Sequence, residues 1–481
     1  MSTLIPRTGI FLFILTLCSA SLAAAPAAVP VTVARALASA GITLSNVGIW
    51  VQPVDGTTPT LALNDQQAMN PASVMKLVTS FAALEALGPA HTWTTRVATR
   101  GQHTGRVLHG DLHLVGGGDP VLGYERLWKM LRKVREMGIT MIEGDIVLDG
   151  SVLRLPNHDP YAFDGKGLRP YNSGPHGLLL HFNTLHLSLT PPANAGRLVT
   201  VTPHPPLKGL TIKNTIQGTN GACGVWYHGL DAALESAPEG VKLVLGGTLP
   251  LSCGAREWAS SPLSAEEYGA ALVAGLWEEI GGSLGGSVRS GSTPATATTL
   301  VSETSPALGE IVREMNKWSS NVIARQLLAA LGANRAADAV AAGVVAATAQ
   351  LARAGIPTEG LVIENGSGLS RIARIRAASL GKLLLTAWQR PYMPEFIASL
   401  PIAGVDGTAQ RRLNTSPANG HAHIKTGTIN NVRAMAGYVL DRNGRRHAVV
   451  MMVNDPAASA SKGAQDALLE WIWQARIWQA R

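Results

Sequence analysis

Ser73-Val74-Met75-Lys76 opens an apolar segment that runs to Leu87 and reads as an amphipathic helix, just after Asn70-Pro71 stops an extended stretch. On a helix, positions i and i+3 share a face, so the Lys76 amine can reach the Ser73 hydroxyl. The first turn also offers free N–H groups and a positive partial charge where an oxyanion would develop. A serine hydroxyl is a poor nucleophile until a neighbouring base takes its proton. A lysine of ordinary pKa is held neutral at pH 7 at a cost of about 4.6 kcal/mol, which burial or a second cation would lower.

S-x-x-K alone is weak, because Ser379–Lys382 and Ser459–Lys462 match it too. Downstream, Ser319-Ser320-Asn321 fits S-x-N between two helical stretches, and Lys425-Thr426-Gly427-Thr428 places K-T-G on an apparent strand. Ser and Asn also cap helices, so S-x-N is weak by itself; K-T-G is more specific. Order decides the matter: only Ser73 precedes both other motifs, so Ser379 and Ser459 read as ordinary helix residues.

Outward from these motifs, Val47 to Ala62 reads as a hairpin about Asp55-Gly56, and Ala434–Leu440 with His447–Val453 as another about Asn443-Gly444. Helical periodicity is predicted over Tyr124–Met137, 265–280, Ala307–Lys317, Val322–Ala330, Ala336–Arg353 and from about Ala457. Between Thr95 and about Ser260 the chain changes to short alternating runs with Gly/Pro punctuation, and a Gly/Ser/Thr-rich connector follows 280 to Thr304. The predicted architecture is α+β (mixed α/β): helices enclose a sheet assembled from both chain ends, with a large mostly-β insertion. The boundaries read as 1–25 leader, 26–94 first catalytic segment, 95–260 insertion of one or two nested subdomains, and 261–481 second catalytic segment.

Arg7, the apolar run Ile10–Leu17 and small residues through Ala25 resemble a secretory signal peptide. The run is too short to span a bilayer, and Leu17 before Cys18 argues against a lipid anchor. The expected location is periplasmic, with at most peripheral membrane association. Export leaves Cys223 and Cys253, a disulfide candidate in an oxidising compartment. Hydrophobic residues at 46% support sizeable cores, while 15% charged residues exclude long coiled coils. A net charge of +8 favours anionic surroundings, but no dense basic cluster with interleaved aromatics points to nucleic acid.

No metal or other cofactor is expected. His-Glu-x-x-His is absent, and His421-Ala422-His423 with Lys425 reads as a polar sheet face. Gly116-Gly117-Gly118 reads as a turn, not a phosphate loop. The repeated Ile-Trp-Gln-Ala-Arg at Ile472–Arg476 and Ile477–Arg481 would put its two Trp about 140° apart on a helix, a helix end or tail and not a membrane stripe.

The three motifs in this order, with the long gap between the first two, resemble the penicillin-binding and serine β-lactamase superfamily. Further segments narrow the resemblance: Gly110–Leu114 with Gly117–Pro120, Glu364–Arg371, Val405–Thr408, Val432–Tyr438 and Val453–Asp455. Together they resemble the class C low-molecular-weight penicillin-binding proteins, D-alanyl-D-alanine carboxypeptidases/endopeptidases of peptidase family S13. The resemblance implies attack by Ser73 on the D-Ala-D-Ala bond of peptidoglycan stem peptides, with β-lactams as covalent inhibitors. It implies Lys76 as base, Ser319 as proton relay, and Asn321 bonded to Lys76 and to the substrate amide. Lys425, Thr426, Gly427 and Thr428 would form the carboxylate-binding strand, and the N–H groups of Ser73 and Thr428 the oxyanion hole. Arg371 is a candidate second carboxylate contact or a surface Arg; Asp149 is a candidate for a diaminopimelate amine or a turn residue. Asn430 stands where Gln is expected. A β-lactamase or esterase on the same fold, and a weakly catalytic wall-binding scaffold, are the competing functions, and oligomeric state is left open.

Overall fold

A computed structural model describes residues 28–237, 240–333 and 337–475. The expected leader, Cys18 and the second Ile-Trp-Gln-Ala-Arg copy lie outside the described residues.

The chain is α+β. Its two ends build one antiparallel sheet in the order Leu61–Leu63, Val47–Pro53, Arg446–Asn454, Val432–Leu440, Ala422–Ile429. Alternation along these strands serves two cores. Ile49, Val51, Met435, Met451 and Val453 pack with Val33, Leu37, Leu468 and Ile472 of the helices Val31–Ser39 and Lys462–Trp473. Trp50, Ala434, Ala436, Tyr438, Val450 and Met452 face the opposite side, where the motif-bearing helices lie.

The segment after Ser73 differs from its expected amphipathic form. Ala72–Met75 is a 3-10 turn, the α-helix proper is Lys76–Leu87, and every residue from Lys76 to Leu84 is buried. Helices Leu308–Trp318, Asn321–Leu331, Ala339–Arg353 and Ala377–Trp388 pack round it. A helix apolar on all sides belongs in the middle of a domain, and here that burial delivers Lys76 to the interior.

The inserted body runs further than expected. Helix Ala265–Glu279 places Tyr268, Leu272, Val273 and Leu276 in the core of the inserted strands, not in the catalytic domain. The expected connector contains three strands: Ser283–Leu284 pairs with Met141–Ile142, Val288–Ser290 with Ile146–Asp149, and Thr298–Thr304 with Thr94–Thr99. Trp93 and Ser305 exchange hydrogen bonds at the neck, N–H to Oγ at 3.0 Å and N–H to O at 2.8 Å. We therefore propose that the insertion spans 94–304, where the sequence suggested 95–260; Gly/Ser/Thr richness conceals the β-branched residues of the strands beyond 260. Cys223 and Cys253 are joined as a disulfide within it.

Candidate active site

The turn carrying Ser73 is built from strained and closely fitted backbone. Ala72 has φ +45°, a conformation uncommon outside glycine. Asn70 braces it: its Oδ1 accepts from Ala72 N–H at 2.9 Å, and its Nδ2 donates to the Ser370 carbonyl at 2.9 Å. Asn70 N–H also donates to Asn454 Oδ1 at 2.8 Å, and Asn454 Nδ2 donates to the Asn70 carbonyl at 3.0 Å. Two glycines permit close approach from either side. A Cβ on Gly368, at φ +75°, would stand 1.8 Å from the Ala72 carbonyl oxygen, and one on Gly427 would stand 2.7 Å from Ser73 N.

Lys76 is wholly buried. Its Nζ lies 3.2 Å from Ser73 Oγ, 2.6 Å from Asn321 Oδ1 and 2.7 Å from the Ser367 carbonyl oxygen. Burial, then the charges of Lys425 and Arg325, push its amine well below the ordinary lysine range. Lys425, also wholly buried, donates to Ser319 Oγ at 2.9 Å and to the Thr426 carbonyl at 2.8 Å. Burial brings its pKa down to about 7. Ser319 ends helix Leu308–Trp318 in the left-handed conformation, φ +59°, and Ser320 caps the next helix through Ile323 N–H. That sharp corner puts Ser319 and Asn321 on one cleft.

Strand Ala422–Ile429 closes the arrangement. Gly427 lies over Ser73 N, and the next residue, Thr428, is exposed. Thr426 Oγ1 meets Thr408 Oγ1 at 3.2 Å. Asp406 holds the loop before Thr408, accepting from Lys317 Nζ at 2.5 Å and from Ile402 N–H at 2.7 Å. The polar face expected of His421, His423 and Lys425 is limited, since the strand starts at Ala422 and Lys425 points into the interior.

Ser73, Lys76 and Asn321 are thus bonded together, and Lys425 is bonded to Ser319. Arg371 is exposed and stacks 4.5 Å over the Phe163 ring of the inserted body. It borders a cavity of about 520 Å³ shared with His158, Arg325 and Glu364. Asn430 lines a separate recess with Asn70, Arg371 and Asn454. Asp149 is corrected: it is buried, and its two oxygens accept from Ser151 N–H at 3.0 Å and Thr293 N–H at 2.7 Å. Those bonds hold its carboxyl below the usual range against the opposing effect of burial. Both of its oxygens are thus engaged by main-chain N–H groups. Among the described residues no group of three His, Cys, Asp or Glu side chains is placed to hold a metal ion, and no helix is long and apolar enough to cross a membrane.

Sequence reasoning gave no role to Asn70, Asn454, the Ser367 carbonyl or the Lys317–Asp406 pair. It also missed how the insertion docks. Gln326, fully buried, donates to the Gly118 and His176 carbonyls and accepts from His176 N–H. Arg325 donates to the carbonyls of Tyr171 and Ser173. The available signal was spacing: Arg325 is Asn321 plus four, on the same helix face.

The family model described as the D-Ala-D-Ala carboxypeptidase 3 (S13) family matches residues 30–475. A D-alanyl-D-alanine carboxypeptidase from Actinomadura sp. is 32% identical over 420 residues, covering 83% of this chain and 76% of that protein. The D-alanyl-D-alanine carboxypeptidase DacB of Haemophilus influenzae is 25% identical over 427 residues, 85% of each chain. Among solved structures, penicillin binding protein 4 (dacB) from Haemophilus influenzae superposes with a TM-score of 0.73 at 23% identity, over 88% of this chain and 96% of that one.

Proposed function

Because the chain belongs to the S13 family of D-Ala-D-Ala carboxypeptidases, serine-type hydrolases, we propose that Ser73 is its nucleophile and that it works on peptidoglycan stem peptides through a Ser73 ester. The observation that carries this reading is the environment of Lys76. A neutral amine has two N–H bonds and one lone pair. Asn321 Oδ1 and the Ser367 carbonyl, at 2.6 and 2.7 Å, take both hydrogens. The lone pair is left for the Ser73 O–H at 3.2 Å, so hydrogen bonding and burial favour the same proton state.

Ser73 Oγ attacks the carbonyl between the two D-alanines as its proton passes to Lys76 Nζ. The oxyanion forms between the N–H groups of Ser73 and Thr428, a reading supported by the close approach of the neighbouring Gly427 to Ser73 N. Lys425 donates to Ser319 Oγ, leaving the Ser319 hydrogen free to protonate the departing D-alanine nitrogen as the C–N bond breaks; Ser319 takes a proton back from Lys76, which returns to the neutral amine. Lys425, Thr426 and Thr428 receive the terminal carboxylate, and Arg371 guides the stem from the insertion side. Water then hydrolyses the ester. A β-lactam, which the related Haemophilus influenzae protein binds, acylates Ser73 in the same way. An exported, periplasmic location fits this substrate.

Release of D-alanine from a peptide ending in D-alanyl-D-alanine tests the reading, beside cleavage of a cross-linked muropeptide dimer. Release of D-alanine at a rate abolished by Ser73→Ala is expected; cutting of the dimer adds endopeptidase activity. Hydrolysis of penicillin without attack on either peptide would make the protein a β-lactamase. With rising pH, kcat/KM falls above about pH 7 as Lys425 loses its proton. Bound carboxylate holds that proton, so kcat persists to higher pH. An alkaline limb of kcat/KM at the ordinary lysine position would contradict the assignment of Lys425.

A further inference from the structure

Arg325 is buried, 6% exposed. Its Nη1 donates to the Tyr171 carbonyl at 2.7 Å and to the Ser173 carbonyl at 2.9 Å. Among the described residues no carboxylate lies within ion-pairing distance of it. A desolvated guanidinium held by carbonyls alone is costly, and its charge stays unneutralised at short range.

The Tyr171 carbonyl has a second donor: Asn321 Nδ2, at 3.3 Å. With its nitrogen on Tyr171, the Asn321 amide has its oxygen on Lys76 at 2.6 Å. A continuous path therefore runs from Arg325 through a backbone carbonyl of the inserted body to Asn321 and Lys76. Both side chains project from one helix face, four residues apart.

We propose that Arg325 is a positioning residue for the reaction: clamping Tyr171 and Ser173, it makes the insertion hold Asn321 with its oxygen on Lys76, and its unneutralised charge disfavours a second cation there. The inference rests on Lys76 acting as the base. Charged groups facing Lys76 are Lys425 from the strand and Arg325 from the helix. Glu364 acts on Arg325 from the Glu364–Ser370 turn, and Arg325 in turn acts on His158 of the insertion. Glu364 favours the Arg325 cation, and the balance at Lys76 still lowers its proton affinity. The insertion thus completes the site through main-chain atoms.

The test is the rate of acylation by benzylpenicillin against pH in the full chain, for the parent, Arg325→Gln and Arg325→Lys. Losing the cation makes Lys76 easier to protonate, so the acid limb of Arg325→Gln moves up by on the order of one pH unit, costing about tenfold on that limb and less above it. Arg325→Lys keeps the charge and returns the limb to the parent position. A folded Arg325→Gln slowed by one factor at every pH, its limb unmoved, would overturn the inference while leaving Ser73 chemistry intact. If Arg325→Gln does not fold, a displaced limb in Arg325→Lys overturns it and an unmoved one supports it. A folded parent that takes up no penicillin removes the proposed function and this inference with it.

Discussion

Lys76→Met lowers acylation of Ser73 by about 10⁴-fold, the scale of losing an acid–base member of a catalytic unit. Methionine fills a similar volume, so the helix through the core keeps its packing. What disappears is the amine 3.2 Å from Ser73 Oγ proposed as its proton acceptor, together with the bonds to Asn321 Oδ1 and the Ser367 carbonyl. Asn321 Oδ1 loses its donor, while Asn321 Nδ2 keeps its bond to the Tyr171 carbonyl. Stopped-flow acylation by a chromogenic cephalosporin measures the loss, with circular dichroism reporting the fold. A folded Lys76→Met within tenfold of the parent would show that another group takes the Ser73 proton.

Gly427→Ala cuts acylation by about 10²–10³-fold, the scale of losing an oxyanion donor. The added methyl would stand 2.7 Å from Ser73 N, 2.8 Å from the Pro71 carbonyl and 3.0 Å from Ala72 Cβ. Two of these are backbone atoms of a turn already fixed by Asn70 and Gly368, so strand and turn must separate. The separation displaces Thr428 N–H relative to Ser73 N–H and leaves Lys76 in place. Gly463→Ala is the control: a Cβ there meets open space on a surface helix, and activity stays at the parent level. Parent-like acylation in a folded Gly427→Ala would remove this strand from the oxyanion hole.

The residues proposed to carry the chemistry were legible because each motif is short and local. Ser73 and Lys76 sit one helical turn apart, and Lys425 to Thr428 occupy one strand; only their order along the chain was needed to tie them together. The central sheet was legible from its two hairpins. The extent of the insertion was not, because Val288–Ser290 and Thr298–Thr304 earn their strand character by pairing with Ile146–Asp149 and Thr94–Thr99, far away in sequence. Asp149 misled for a related reason: a carboxylate beside Gly150-Ser151 looks available until Thr293, 144 residues on, is found donating to it. The Ser367 carbonyl and the Tyr171 carbonyl lie beyond any residue-type motif, since main-chain acceptors carry no sequence signature. Beyond the spacing of Arg325 from Asn321, Arg325 and Gln326 carried no sequence signal of their own; their bonds to carbonyls are visible only when the insertion's backbone is laid against them.

Intact mass after brief exposure to benzylpenicillin, with peptide mapping of the adduct, reaches the central claim most directly. The account predicts one penicillin per chain, attached to Ser73, and none in Ser73→Ala. An adduct that persists in Ser73→Ala, or a folded parent that neither gains mass nor hydrolyses penicillin, would contradict it.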